Sequence, residues 1–171
     1  MAILSLTTYF NPFTQHETSS PQPGYAKLNL QIEGCPDRET LSRICRVAGN
    51  NLAIFVACTA FETIRSNIGI EYRRGLPMYP SLEESQRVGE QIKAGYDRLD
   101  KLIETCKKIE YLLHSYLSPG STTSGLHLPP SEAKATELLR IVAEAEWDSV
   151  SKDPETKKLL EEIFPFVFKK A

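Results

Sequence analysis

Three hydrophobic periodicities divide the chain. In "KLNLQIE" (27–33) Leu28, Leu30 and Ile32 alternate with Lys27, Asn29, Gln31 and Glu33. Period two is the signature of a half-buried strand. "AILSLTTYF" near the start is its candidate partner. A lone hairpin is marginally stable, so the pair is expected to lie on helices or to join another chain. Residues 11–24, rich in Pro, Ser and Thr, read as a loop.

The second pattern surrounds "NNLAIFVACTAFETI" (50–64), the most apolar stretch of the chain. Leu41, Ile44, Val47 or Ala48, Leu52, Phe55 and Thr59 follow a 3.6-residue period, which predicts a helix over about 38–67. Asp37, after Pro36, suits its N-cap. The uninterrupted apolar run, Leu52 to Phe61, is about half of the roughly 20 residues that a membrane span needs. It reads as a core helix that begins amphipathic, becomes apolar on nearly all sides around 52–61 and is expected to be covered all round there. Ala48, Gly49, Ala53, Ala57 and Ala60 would admit close neighbours.

The third pattern is a seam. Val88, Ile92, Gly95, Leu99, Leu102, Cys106, Ile109, Leu113 and Tyr116 alternate in steps of four and three, an a/d repeat of about four heptads. Tyr96, Ile103, Leu112 and Leu117 widen it. Ser81 and Glu84 form a capping box at its start, and the helix is expected to end near Leu117. The helix that fills this seam is either 38–67 of the same chain or the seam of a second copy. Gly95 within the seam predicts a close helix approach or, failing that, a weakened helix.

The remaining segments are a connector at 68–80, a loop at 118–130, a helix at 132–149 capped by Ser131, and a last helix. That one opens with Asp153 and Pro154 and ends at Pro165. The predicted fold is mainly α: a bundle of about four helices, two of them long, with an N-terminal extended or hairpin segment. Residues 1–36 form that segment and 37–171 the helical domain.

Composition changes this picture little. A chain of 171 residues, 41% apolar and 25% charged, suits one domain or one domain with an extension. Twenty bases against 22 acids lack the basic excess of a nucleic-acid coat. Up to residue 100 the bases are eight Arg and two Lys; beyond it they are nine Lys and one Arg. Cys35, Cys45, Cys58 and Cys106 form no C-x-x-C pair, and three sit in apolar helical patterns, as reduced buried thiols do. The first residues lack the charged start and cleavage site of a secretion signal. A cytoplasmic protein is expected.

Candidate chemistry is sparse. Among the histidines only His114 shares a helical face with an acid, Glu110, and one pair is too few for a metal bundle. There is no G-x-S-x-G motif and no phosphate-cradling glycine loop, so no catalytic residue, metal or cofactor is predicted. Arg65, Tyr72, Arg73, Arg74 and Tyr79 put bases beside aromatics, a pairing that holds phosphates and stacks bases. Phe164, Phe166 and Phe168 alternate near the end of the chain, either docked on the core or offered to a partner. The leading expectation is a non-enzymatic helical interaction or assembly subunit, an adaptor that binds a protein partner or itself. A nucleic-acid-binding subunit of a larger complex and a cofactor-carrying helical protein are the rivals. No membrane partner is expected.

Overall fold

A computed structural model describes residues 2–114 and 119–169. Among the described residues the chain is mostly helical (62%), with six helices, two of them long, and an N-terminal antiparallel sheet. The order is β1 (Ile3–Asn11), β2 (His16–Thr18), β3 (Ala26–Glu33), α1 (Arg38–Arg73), α2 (Leu82–His114), β4 (Thr122–Ser124), α3 (Glu132–Ala145), α4 (Trp147–Val150), α5 (Pro154–Ile163) and α6 (Pro165–Phe168).

The sheet runs β2-β1-β3-β4, antiparallel throughout. Its register sets Leu4 opposite Ile32, Leu6 opposite Leu30, Thr8 opposite Leu28 and Phe10 opposite Ala26. The apolar members of β3 are buried, so these pairs face the helices. On the outer face Ser5 donates to Gln31 (3.0 Å) and Thr7 to Asn29 (2.9 Å). Phe10 lies on α1 at Gly49, where a side chain would meet its ring.

Helix α1 is about 54 Å long and is the element around which the others pack. Asp37 caps it by accepting from the Thr40 N–H (2.8 Å). One core lies between the sheet and the first turns of α1, around Cys45 and Ala48. The larger core joins α1, α2, α3 and α5. At Gly95 the α2 backbone comes so close to α1 that an added Cβ would meet Ile68. Helix propensity near 1 kcal/mol is given up there, and the close approach explains it. Asp100 with Arg65 and Lys107 with Glu62 tie the flanks of the two helices together.

Several expectations are corrected. Helix α1 runs on to Arg73, past Gly69, because Ile68 is buried against α2. It is not covered on all sides. Phe55 is 53% exposed and stands on a solvent stripe with Thr59, Glu62 and Ser66. Sheet, α2 and α3 occupy the other sides of α1, and no described element covers this one. By length and composition α1 would span a membrane, but 61% of its apolar window is buried inside the fold, as in a core helix.

The helix expected at 132–149 is two pieces, broken at Glu146 (φ −107°, ψ 20°). Pro165 ends α5 but also begins α6, where its fixed φ suits a first helical position. Short strands β2 and β4 lie in segments expected to be loop. Tyr116 and Leu117, included in the seam pattern, lie outside the described residues.

Candidate functional site

The turn between α1 and α2 is built to hold apolar side chains in water. Helix α1 stops at Arg73, and the Leu76 N–H donates to the Arg73 carbonyl (3.0 Å). Leu76 packs against the core and pins the turn. Pro77 and Pro80 bracket Met78 and Tyr79 and fix φ on either side. The capping box then forms: the Ser81 N–H donates to Glu84 and the Glu84 N–H to the Ser81 hydroxyl, both 3.1 Å. The Ser81 backbone N–H holds the Glu84 carboxyl below its ordinary range. On this scaffold Met78 is 85% and Tyr79 88% exposed, and Ile70 in the last turn of α1 and Leu82 at the start of α2 are exposed as well. Full burial of one such side chain is worth roughly 1.5–3 kcal/mol, and for Met78 and Tyr79 little of that is realised.

The proposed nucleic-acid residues do not converge. Arg65 forks onto Asp100 through Nε and Nη2 and lies 4.6 Å from the centre of the Tyr96 ring. Its pKa is raised first by that hydrogen bond to Asp100. Arg74 pairs with Glu71 at 3.4 Å. Tyr72 lies beside Arg98, which forks onto Glu132 at 3.0 and 2.8 Å. Arg73 folds back along α1 towards Gly69. Of the five, only Arg74 and Tyr79 lie in the turn itself.

The six seam residues Val88, Ile92, Leu99, Leu102, Ile109 and Leu113 are all buried, and α2 packs against α1 of the same chain. The aromatic tail is divided. Phe168 stacks on Trp147 with centroids 4.5 Å apart and meets Phe164 edge-on at 5.9 Å, and both Phe164 and Phe168 pack on the core. Phe166 points fully into solvent.

One buried polar cluster has no counterpart in the sequence reading. Asn50, fully buried, donates to Glu146 (3.0 Å) and exchanges hydrogen bonds with the Gln15 amide (2.7 and 3.2 Å). Arg46 also donates to Glu146 (3.1 Å). Gln15 takes a positive φ of 59° and donates to the Pro12 carbonyl (2.8 Å). The cluster joins the β1–β2 turn, α1 and the α3–α4 break. No periodicity marks it, because its members are distant in sequence.

The thiols are quiet. Burial, then Glu17, pushes Cys45 up to about 12; burial, then Glu62, pushes Cys58 up to about 12. Burial raises Cys106 well above its ordinary value. Cys35 is exposed. No group of three or more His, Cys, Asp or Glu side chains able to hold a metal ion occurs among the described residues. A groove of about 600 Å³ between α2 and α5 is lined by Asp100, Glu104, Lys107, Lys108, Tyr111 and Asp153, acids and bases together. No family model, no curated protein and no solved structure matches the chain.

Proposed function

We propose that the chain is a non-enzymatic assembly subunit that docks a protein partner through the tip of its α1–α2 hairpin. The observation that carries this reading is the exposure of Met78 and Tyr79 in a braced turn, with Ile70 and Leu82 exposed on the helix ends that flank it. Aromatic and Met side chains are enriched in interface centres, where a few anchors carry most of the binding energy. Leu76 and the capping box order the tip before it binds, so little conformational entropy is lost on docking. Glu71, Arg73, Arg74, Glu83 and Glu84 supply a rim of both signs, which suits a protein surface better than a phosphate backbone. The tip is carried by a four-helix body of α1, α2, α3 and α5, a grouping supported by the packing of α3 on α1 and of α5 on α2. Such a subunit would work in the cytoplasm with its thiols reduced.

The test uses the tagged full chain in its host cells. The wild type is expected to elute with a larger complex, and the Met78→Asp/Tyr79→Asp variant to elute free of that complex with an unchanged melting temperature. Identical elution of the two would overturn the reading. Binding that fell steeply with salt would transfer the function to nucleic acid.

A further inference from the structure

We infer that two copies of this chain pair edge to edge through β1, antiparallel about a two-fold axis, so that their sheets become one. This interface is separate from the hairpin tip and stands or falls without it.

The pairing scheme leaves the edge bare. Strand β2 pairs only with Tyr9, Phe10 and Asn11 of β1. Thr8 still reaches Glu17 and Thr18 of β2 through its hydroxyl, but residues 3–7 have β3 as their one strand neighbour among the described residues. In an antiparallel strand alternate residues turn their N–H and C=O groups to opposite sides, so about half of these five aim theirs outward. The strand is held extended to its end, where the Gly34 N–H donates to the Ala2 carbonyl (2.9 Å). The opposite edge of the sheet is treated differently. Beyond β4 the Gln31 N–H is taken by the Ser121 hydroxyl (3.1 Å), and Gly120 packs on the Gln31 side chain.

Charge selects the occupant. Natural edges are blunted by Lys, Pro or bulges. From Ala2 to Phe10 there is no charge, no Pro and no Gly. A short, uncharged, β-prone segment is the kind that pairs with its own copy, and a second β1 brings no unmatched charge to the contact. The side chains agree. Leu4 lies on the helix-facing side of the sheet yet is exposed. With the axis at Ser5, Leu4 stands opposite Leu6 of the second copy, and Leu6 opposite its Leu4. Such apolar cross-strand pairs stabilise sheets, and the contact is isologous, as a closed dimer requires. On the outer face Ile3 meets Thr7 of the second copy.

Sedimentation equilibrium of the full chain tests this. The wild type is expected to approach twice its 19.2 kDa mass, and Ile3→Lys/Thr7→Lys to fall to one chain, since each Lys then faces another. An equimolar mixture with Ile3→Glu/Thr7→Glu is expected to restore the double mass, which a misfolded variant would not do. Independently, Ser5→Cys in a Cys35→Ser background is expected to form a disulfide-linked dimer on mild oxidation. A monomeric wild type, a dimer indifferent to the Lys pair, a mixture that stays monomeric, or a Ser5→Cys chain that fails to link each overturns the inference.

Discussion

The ring of Phe10 lies against the α-carbon of Gly49, so closely that a Cβ at Gly49 would sit 2.1 Å from Phe10 Cδ1 and 2.8 Å from its neighbours. Glycine is required there by the approach of the sheet to α1, at the expense of helix propensity. Gly89 in α2 is exposed and has nothing within 4 Å of its Cβ position. The two therefore respond oppositely to alanine. In urea unfolding, Gly49→Ala is expected to destabilise by about 1–3 kcal/mol through overpacking. Gly89→Ala is expected to stabilise by up to about 1 kcal/mol. Equal effects would show that the sheet does not bear on α1 at this point.

The Asn50 side chain is the hub that joins Gln15 to Glu146. Removing it leaves buried polar groups without partners, a cost of roughly 1–3 kcal/mol for each group affected. Asn50→Ala is expected to lower stability by about 2–3 kcal/mol by that mechanism. Combined with Glu146→Gln it should be clearly non-additive in denaturant titrations, because the two residues share one network.

Much of the architecture is legible in the sequence, and the exceptions have physical causes. Asp37, Ser131 and Asp153 accept from backbone N–H groups of the first turns they precede, since capping is a local matter of residue type and position. The Ser81–Glu84 box forms for the same reason. Leu28, Leu30 and Ile32 point inward as their alternation requires. Phe55 is different: periodicity reports that a residue is apolar, but burial depends on whether another element arrives opposite it, and none does among the described residues. The extent of α1 was also hidden. Gly69 reads as a break, whereas tertiary packing of Ile68 on Gly95 carries the helix through it. The apolar tip was masked because Met78 and Leu82 sit among prolines and glycine, in a segment that reads only as a connector. The Asn50–Glu146 cluster depends on contacts across 96 residues, beyond the reach of any local pattern.

Thiol chemistry follows from burial. Cys45 and Cys58 are raised to about 12 and Cys106 well above its ordinary value, and all three are buried, whereas Cys35 is exposed and open to reagents. A thiol reagent is expected to modify one cysteine in the native protein and four in denaturant. The sign for stability is set by the raised folded values. The contribution is intact below the ordinary thiol value of 9.0 and is lost as pH climbs from there towards about 12, because the unfolded chain deprotonates first. Rapid native labelling of Cys58 or Cys106 would contradict the packing of α1 on α2, and that of Cys45 the packing of the sheet on α1.

At low pH the caps govern. Asp37 is depressed by the Thr40 hydroxyl and then its N–H. Asp153 is depressed by the Thr156 hydroxyl and then its N–H. Depressed carboxyls stabilise the fold fully above their ordinary value of 3.8 and cease to do so as pH falls through their lower folded values. Asp37→Asn/Asp153→Asn keeps an acceptor at each cap but has no proton to gain there. Its melting temperature is expected to vary less with pH in the acid range than that of the wild type. Parallel acid profiles would refute the assignment.

The claim on which the function depends is that the hairpin tip, and not the flank of the helices, meets the partner. A photoreactive side chain placed at Tyr79 samples the tip; the same group at Tyr111, similarly open to solvent on α2, samples the flank. Irradiation in host cells is expected to give a discrete protein adduct from position 79 that is missing from position 111. No adduct at 79, or the same adducts from both positions, would contradict the account.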